Sequence, residues 1–312
     1  MTDYLLLSLN TVAPIFFLIL LGVFTRRSGM ISENTAAEMN KAVFIVFLPV
    51  LLFNGLSGAR LENAFRPGLL IFTAVALVLV WGLGVFLSIL LIKDNKERGA
   101  VIQGFYHANF AFFGLSLAAR LTDADGISAA GGLAVAVIPI CNALTVLTLE
   151  FLRGTRPNTA KLCRDMFLNP LIIGTLAGFL LLFTGLSLPP FLASFVSSVA
   201  TAASPLALVG LGAALSFSGL QKRGILALAV LGRLILVPLL VFAAAAALGF
   251  RGADMVALMA VFASPAAVIT FVVAAQMDSD SELTAAIVAS GSALSAVTVF
   301  FWVTVLKGLG LI

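Results

Sequence analysis

Long runs of apolar residues, separated by short polar or glycine- and proline-bearing links, extend over the whole chain. Each run is close to the ~20 residues that an α-helix needs to cross a ~30 Å hydrocarbon core. None of the runs shows the strict alternation of apolar and polar residues that a barrel strand requires. The pattern therefore predicts ten membrane-spanning helices, at residues 4–25, 40–58, 67–92, 99–121, 127–151, 167–184, 190–217, 224–248, 254–276 and 281–306.

The composition supports the same class. Of the 312 residues, 61% are hydrophobic and only 10% are charged, and the mean hydropathy is +1.16. Soluble domains contain roughly 45 to 50% apolar residues, so the predicted fold class is an all-α integral membrane protein. The N-terminus lacks the basic segment of a cleavable signal peptide, and Pro14 interrupts its first apolar run. The first helix is therefore expected to stay in the mature protein.

The positions of the basic residues predict the orientation, because short cytoplasmic links carry an excess of Lys and Arg. With the N-terminus outside, the inner links hold twelve of the 18 basic residues: Arg26, Arg27, Lys41, Lys93, Lys96, Arg98, Arg153, Arg156, Lys161, Arg164, Lys222 and Arg223. The outer side holds five: Arg60, Arg66, Arg120, Arg251 and Lys307. We therefore expect a multi-pass protein of the cytoplasmic (inner) membrane with both termini outside. The link at residues 278–282 is an exception, since it would lie inside without a basic residue.

The two halves of the chain resemble each other at an offset of 156 residues. Without a gap, this offset aligns Pro14 with Pro170, Gly22 with Gly178, Pro49 with Pro205, Gly68 with Gly224, and Asn109 with Pro265. Each half contains five predicted helices, and an odd number makes the second copy enter the membrane in the opposite direction. The pattern predicts two inverted five-helix repeats, residues 1–156 and 157–312, which form one transmembrane domain.

The fourth predicted helix carries more polar residues than a lipid-facing helix tolerates. Its equivalent, the ninth, contains Pro265, which lacks an amide hydrogen and interrupts the helical ladder. We predict that both helices are broken and cross near the membrane midplane, where the N-terminal ends of half-helices would attract an anion. Two alternatives remain open: a continuous fourth helix whose Asn and His bond to neighbouring helices, and a simple kink at Pro265.

A further set of residues is informative through its order and spacing. It comprises the segment Phe47-Leu-Pro-Val-Leu-Leu-Phe53, Asn109 with Gly114-Leu115, Asn169-Pro170, Pro205-Leu-Ala-Leu with Gly212, Arg233 five residues before Pro238, Arg251-Gly252, and Ser264-Pro265 with Phe271-Val-Val-Ala274. Over nearly the whole chain these residues resemble the auxin efflux carrier family, in its bacterial form. The long cytoplasmic loop of many plant members is reduced here to about residues 153–165.

The resemblance implies a fold similar to that of the bile-acid sodium symporters and of NhaA, with crossing helices four and nine. It implies a secondary transporter of a small organic anion, a carboxylate similar to malate, malonate or auxin. By the same resemblance, Asn109 would help to hold the carboxylate, and Pro265 would form the second helix break. Ser116 stands where the family usually has a proline, which is a departure from its pattern.

The candidate site follows from these patterns. The candidate substrate-binding residues are Tyr106, His107, Asn109, Ser116, Asn142, Ser264, Pro265 and Thr270, and the candidate helix breaks are Gly114, Pro265, Pro49 and Pro205. Asn142 is interpreted either as a ligand or as an interhelical hydrogen-bonding residue. Arg233 is either a charge on the substrate path or a structural partner. His107, the only histidine, either carries a coupling proton or only forms hydrogen bonds.

Other function classes find little support. The chain has no HExxH, GxSxG or Walker sequence, and one histidine does not make a usual catalytic site, so no enzyme is predicted. Cys141 and Cys163 have neither disulfide nor metal-ligand spacing, and no metal or other cofactor is expected. The expected partners are the lipid bilayer and a small organic anion, without nucleic acid, and a homodimer is left open. A ligand sensor and a sodium-coupled organic anion symporter remain alternatives.

Overall fold

Helices account for the regular structure of the described residues. The computed structural model describes residues 2–57, 66–122, 124–153, 168–215 and 220–312. The helices are α1 (Thr2–Arg27), α2 (Glu33–Ser57), α3 (Pro67–Leu91), α4 (Asn95–Tyr106), α5 (110–121), α6 (Ala124–Gly132), α7 (Ala134–Leu152), α8 (Pro170–Thr184), α9 (Pro190–Ala214), α10 (Arg223–Ala247), α11 (Gly252–Phe262), α12 (Val268–Gln276) and α13 (Ser281–Gly308). Within these ranges the β-type pairing is one isolated bridge, between Ala108 and Ala266.

The helices lie where the apolar runs predict them, which confirms an all-α membrane protein. Among the described residues, six helices are long and apolar enough to cross a membrane: Glu33–Ser57, Pro67–Leu91, Ala129–Leu152, Pro190–Ala214, Arg223–Ala247 and Ser281–Gly308. Two shorter apolar helices are Pro170–Thr184 and Gly252–Phe262. That all ten predicted segments cross the bilayer remains a prediction. The second helix begins at Glu33 rather than at residue 40, because the Ser32 hydroxyl caps it by accepting a hydrogen bond from the Thr35 amide at 3.0 Å.

Two of the predicted helix breaks are wrong, since Pro49 and Pro205 lie inside continuous helices. In α2 a π-helical turn, Val43–Phe47, precedes Pro49. Such a wider turn lets the helix continue past a residue that lacks an amide hydrogen. In α9, Pro205 is an interior residue of Pro190–Ala214. At Pro49 the neighbouring helix α8 approaches closely, since a Cβ atom added to Gly174 would lie 2.4 Å from the Pro49 carbonyl oxygen. Helices in membrane proteins tolerate interior proline where neighbouring groups or local adjustments pair the freed carbonyls.

Glycines bring two pairs of helices into backbone contact. A Cβ atom added to Gly178 in α8 would lie 3.0 Å from the Phe53 carbonyl oxygen in α2, and one added to Gly22 in α1 would lie 2.1 Å from the Val209 carbonyl oxygen in α9. The 156-residue offset relates Gly22 to Gly178 and Phe53 to Val209. The α1–α9 and α2–α8 contacts therefore use equivalent positions of the two halves.

Ion pairs join the links at each end of the bundle. At one end, Lys96 lies 2.6 Å from Asp278, and Lys222 lies 2.6 Å from Asp280 and 2.7 Å from Glu97. The acidic link before α13, predicted to lie inside without a basic residue, thus finds its cations in two other predicted inner links. Elsewhere Arg66 pairs with Asp254, which joins two links that are both predicted to lie outside.

Candidate functional site

Two interrupted helices meet in the middle of the molecule. The chain leaves α4 after Tyr106 and re-enters a helix at Phe110, and it leaves α11 after Phe262 and re-enters at Val268. The two linking segments run antiparallel to each other. The Asn109 amide donates to the Pro265 carbonyl at 2.9 Å, and the Ala267 amide donates to the His107 carbonyl at 2.9 Å. We call residues 107–109 and 265–267, with the helix ends on either side, the crossover.

The two interruptions have different local causes. Pro265 supplies no amide hydrogen, so the ladder of α11 stops before it. The first interruption contains no proline. The Asn109 amide and the His107 carbonyl, which a continuous helix would pair within itself, find partners in the second segment instead. The predicted break at Gly114 is wrong, because Gly114 lies in a π-helical turn of α5. Its missing side chain serves packing instead, since a Cβ atom there would lie 2.1 Å from the Ala260 carbonyl oxygen in α11.

A small pocket lies against the N-terminal ends of α5 and α12. It has a volume of about 70 Å3, and residues 109–111 and 267–269 form part of its wall. Neither helix has a side chain that caps its N-terminus. The first amide groups of a helix have no intrahelical acceptor and form the positive end of its dipole. The pocket therefore faces two sets of backbone donors.

Three other helices complete the wall of the pocket. The lining residues are Leu48, Leu51 and Leu52 from α2, Val137, Ile138, Cys141 and Asn142 from α7, and Ser204 and Ala207 from α9. Several of these positions are equivalent under the 156-residue offset: Leu48 with Ser204, Leu51 with Ala207, and Ala111 with Ala267. The pocket thus lies between the α2 and α9 helices on one side and the crossover on the other.

Two asparagines give the pocket unpaired polar groups. The Asn109 side chain is buried and has no hydrogen-bond partner in the described part of the chain. The Asn142 NH2 group donates to the Ile138 carbonyl at 2.8 Å, while its oxygen is buried without a partner. Buried polar groups are normally paired. The Asn109 side-chain amide and the Asn142 side-chain oxygen, both from residues that line the pocket, are therefore available to a polar ligand.

His107 enters the pocket with its ring fixed from behind. The Thr145 hydroxyl donates to the Cys141 carbonyl at 2.8 Å, so its lone pairs accept from the Tyr106 hydroxyl at 2.8 Å and from His107 Nδ1 at 2.9 Å. This arrangement assigns the proton of a neutral His107 to Nδ1 and leaves Nε2 as an acceptor. Tyr106 is fully buried behind the ring and does not line the pocket.

Three further predicted residues shape the backbone rather than the pocket wall. The Ser264 hydroxyl donates to the Ala260 carbonyl at 2.5 Å, and the Thr270 hydroxyl donates to the Ala267 carbonyl at 2.6 Å. Pro265 contributes its carbonyl to Asn109. None of the three lines the pocket. Ser116 lies in the first turn after the π-helical segment of α5, and its side chain is outside the described part of the structure.

Arg233 donates hydrogen bonds at the carboxyl-terminal ends of α4 and α11, the two helices that lead into the crossover. It is 1% exposed, and it donates to three carbonyl groups: Ser264 from Nε at 2.8 Å, Phe105 from one terminal nitrogen at 3.0 Å, and Val261 from the other at 2.6 Å. It does not line the pocket. Of the two interpretations of Arg233, the geometry favours the structural partner over a charge on the substrate path.

Three features of the site were not predicted from the sequence: Thr145, Ser204 and the pocket position of Cys141. Helical spacing could have indicated the first, because Thr145 follows Cys141 by four residues and Asn142 by three and shares their face of α7. The 156-residue offset could have indicated Ser204, which is equivalent to Leu48 in the family-like segment of α2. Nothing in the local sequence of Cys141 indicates a pocket.

Comparisons with known proteins place this geometry in context. The sequence profile of a family described as membrane transport protein matches residues 7–159 and 153–303. An uncharacterized transporter of Methanocaldococcus jannaschii is 22% identical over 95% of this chain and 98% of its own length. Another uncharacterized transporter, of Methanothermobacter thermautotrophicus, is 24% identical over 96% of this chain and 98% of its own.

A solved structure shares the fold. The sodium proton antiporter MjNhaP1 from Methanocaldococcus jannaschii superposes with a TM-score of 0.63 over 99% of this chain and 97% of its own, at 16% identity. At this identity the similarity concerns the fold alone.

Proposed function

This chain belongs to the membrane transport protein family, and on that premise we propose that it is a secondary transporter of small organic anions. The substrate class is carboxylates similar to malate, malonate or auxin. The substrate binds at the crossover pocket and crosses the cytoplasmic membrane by alternating access.

The meeting of two uncapped helix N-termini at one pocket carries this proposal. An anion at the end of one helix is stabilised by about 0.3 to 2 kcal/mol, and a carboxylate here would accept from the free amides of both α5 and α12. The Asn109 NH2 group adds a neutral donor, and Asn142 closes the far wall of the pocket. Carboxylates bind well to such a set of donors, because charge-assisted hydrogen bonds are stronger than neutral ones.

The size of the pocket limits the substrate. Pockets for drug-sized ligands have volumes of roughly 300 to 1,000 Å3, whereas this one has about 70 Å3. In this conformation it accommodates only a small acid, and its apolar wall of Leu and Val residues suits a short carbon chain. A larger, aromatic acid requires a more open conformation.

The transport cycle follows from the repeat proposed for the two halves. Ten spanning helices in two inverted repeats would place the pocket between the α2–α9 wall and the crossover, where rocking of one part against the other opens it to each side in turn. The equivalence of Gly22 and Gly178, and of the pocket positions Leu48 and Ser204, supports this repeat. In the proposed orientation both termini lie outside, and a cysteine introduced at Ser187 is expected to react with an impermeant thiol reagent added to intact cells.

Sodium-coupled symport of the same anion is a second candidate. Its support is the shared fold with MjNhaP1, which is described as a sodium proton antiporter. In symport, uptake would require sodium on the side of the substrate, whereas uniport or proton coupling would not.

Counterflow in proteoliposomes tests the proposal. Vesicles loaded with unlabelled malonate or malate should accumulate the labelled acid, and the ester or amide of the same acid should not compete, because only the ionised group gains from the helix ends. Matched assays with sodium, with choline and with a proton gradient separate the coupling modes. Binding of the acid without accumulation would indicate a sensor and would contradict transport.

A further inference from the structure

Arg233 is an unusual buried charge because its hydrogen-bond partners are all backbone carbonyls. Each of its three donor nitrogens has a carbonyl within 3.0 Å, and the described residues place no carboxylate within ion-pair distance of it. An arginine buried to this degree normally pairs with an acid. Here the compensating negative charge has to come from the backbone.

The backbone supplies that charge through helix dipoles. Phe105 belongs to the last turn of α4, Val261 belongs to the last turn of α11, and Ser264 follows two residues after the end of α11. The carboxyl-terminal end of a helix carries a partial charge of roughly −0.5. The crossover brings two such ends together, and one guanidinium charge balances both. Without a cation there, the two ends would repel each other.

Three local features of α10 support the position of the Arg233 side chain. Arg233 lies in a π-helical turn, Gly232–Leu236, and such turns inside α-helices occur frequently at functional sites. Gly232 leaves room for the Phe105 ring, because a Cβ atom there would lie 2.2 Å from Phe105 Cζ. The Trp302 indole donates to the Leu234 carbonyl at 2.9 Å and so pairs a carbonyl within that turn.

We propose that Arg233 is a built-in counter-cation of the crossover, a positioning residue that holds the ends of α4 and α11 together in place of a bound metal cation. It acts on the substrate through the helices rather than by contact, because it does not line the pocket. The geometry of the anion site is then independent of sodium, and α4, α10 and α11 move as one unit. The structural part of this inference, which Tm measures, does not depend on the proposed function. The effect on transport rests on it.

A thermal assay tests the positioning role without reference to transport. Arg233→Ala should lower the apparent Tm of the purified protein by about 5 °C or more, and guanidinium at millimolar concentration should restore part of the loss by occupying the vacated position. Arg98→Ala is the matched control. Arg98 also donates to a carbonyl, that of Ile92 at 2.9 Å, but it is partly exposed. In Arg98→Ala, water should therefore take the place of the lost side chain at this carbonyl, and added guanidinium should not change the Tm. Absence of rescue in Arg233→Ala would overturn the proposal.

A second pair of variants separates charge from hydrogen bonding and serves if the alanine variant does not fold. Arg233→Lys keeps the charge with fewer donors, whereas Arg233→Gln keeps an amide donor without the charge. If the charge is what matters, the Tm of Arg233→Lys should lie closer to that of the wild type than the Tm of Arg233→Gln does. Equal values for the two variants, or a higher Tm for glutamine, would contradict it.

Counterflow then tests the consequence for transport. The wild-type rate should be the same in sodium and in choline media, and guanidinium should raise the rate of Arg233→Ala by about tenfold, as expected for restoring roughly 1.4 kcal/mol of coupling. A strict sodium requirement in the wild type would overturn the counter-cation role. Rescue of Tm without any anion uptake by the wild type would leave that role intact and would contradict the proposed function instead.

Discussion

The two interruptions of the crossover differ in what enforces them. At Pro265 the chain itself ends the helix, and the surrounding residues of α11 and α12 are almost completely buried. At residues 107–109 no residue forbids a helix. The extended conformation there depends on hydrogen bonds to residues 265–267. One interruption is therefore intrinsic to the sequence, and the other is conditional on the first.

This difference separates their tasks. Pro265 has no side-chain polar group and can act only through the backbone. Asn109 has a buried side chain that neither caps α5 nor bonds to a described residue, so it is available to a ligand. An intrinsic break can fix the geometry of the site while the conditional one provides the polar side chain.

The largest effect is expected from Pro265→Ala. Alanine restores an amide and removes the ring clash, so that a continuous helix from α11 into α12 becomes accessible and is favoured by about 3 kcal/mol relative to the proline chain. We expect a folded protein whose uptake is lower by roughly 100-fold, measured by counterflow. Pro205→Ala, at a proline inside the continuous helix α9, is the control and should retain uptake. Normal transport by Pro265→Ala would show that the intrinsic break is dispensable.

Asn109→Ala should act on binding instead. Loss of a hydrogen bond to a charged ligand costs about 1.5 to 3 kcal/mol, which corresponds to a rise in KM of roughly 10- to 100-fold. Because the backbone hydrogen bonds of the crossover do not involve the side chain, the rate at saturating substrate should largely recover. Concentration-dependent uptake distinguishes this from Pro265→Ala. A fall in maximal rate with an unchanged KM would contradict the division of tasks.

Gly114→Ala should weaken the contact between the two broken segments. The added Cβ atom would meet the Ala260 carbonyl at 2.1 Å, and a backbone obstacle cannot rotate away. Overpacking of this kind costs about 1 to 3 kcal/mol and should lower the apparent Tm by several degrees. The matched control is Gly68→Ala in the first turn of α3, where a Cβ atom meets nothing within 4 Å. Equal Tm values for the two variants would show that this approach does not constrain the crossover.

The smallest effect is expected at the far ends of the same segments, away from the crossover, where Lys96 in the first turn of α4 pairs with Asp278 after α12. The hydrogen bond and the charge of Lys96 hold the pKa of Asp278 below its usual range. The stabilisation from Asp278 is therefore present above its unfolded pKa of ~3.9 and is lost as the pH falls through the lower folded value. Both side chains are more than half exposed, so water screens the pair and its net stabilisation is close to zero. Asp278→Asn should leave Tm and uptake unchanged at pH 7, and a clear drop in Tm would show that this pair secures the crossover.

The sequence predicts well those features that a residue or a short segment enforces by its own chemistry. It predicts poorly those that depend on contacts with distant parts of the chain. Hydropathy locates the helices because each apolar run has to be buried in lipid or protein, and Pro265 marks its break through its own covalent structure. The sequence predicts a break in this helix from Asn109 with Gly114 and Ser116 but does not locate it at residues 107–109, since its cause lies about 156 residues away along the chain. The contacts of Arg233 were equally hidden, because a local sequence does not indicate which carbonyls a long side chain will reach.

The glycine contacts of α1 with α9 and of α2 with α8 have a mechanical consequence. Where Gly22 meets the Val209 carbonyl and Gly178 meets the Phe53 carbonyl, main chain touches main chain with no side chain between them to change rotamer. Neither pair can slide or turn without a collision of rigid atoms. We therefore expect each pair to move as one unit when the pocket opens, so that its close main-chain contact is kept throughout the transport cycle.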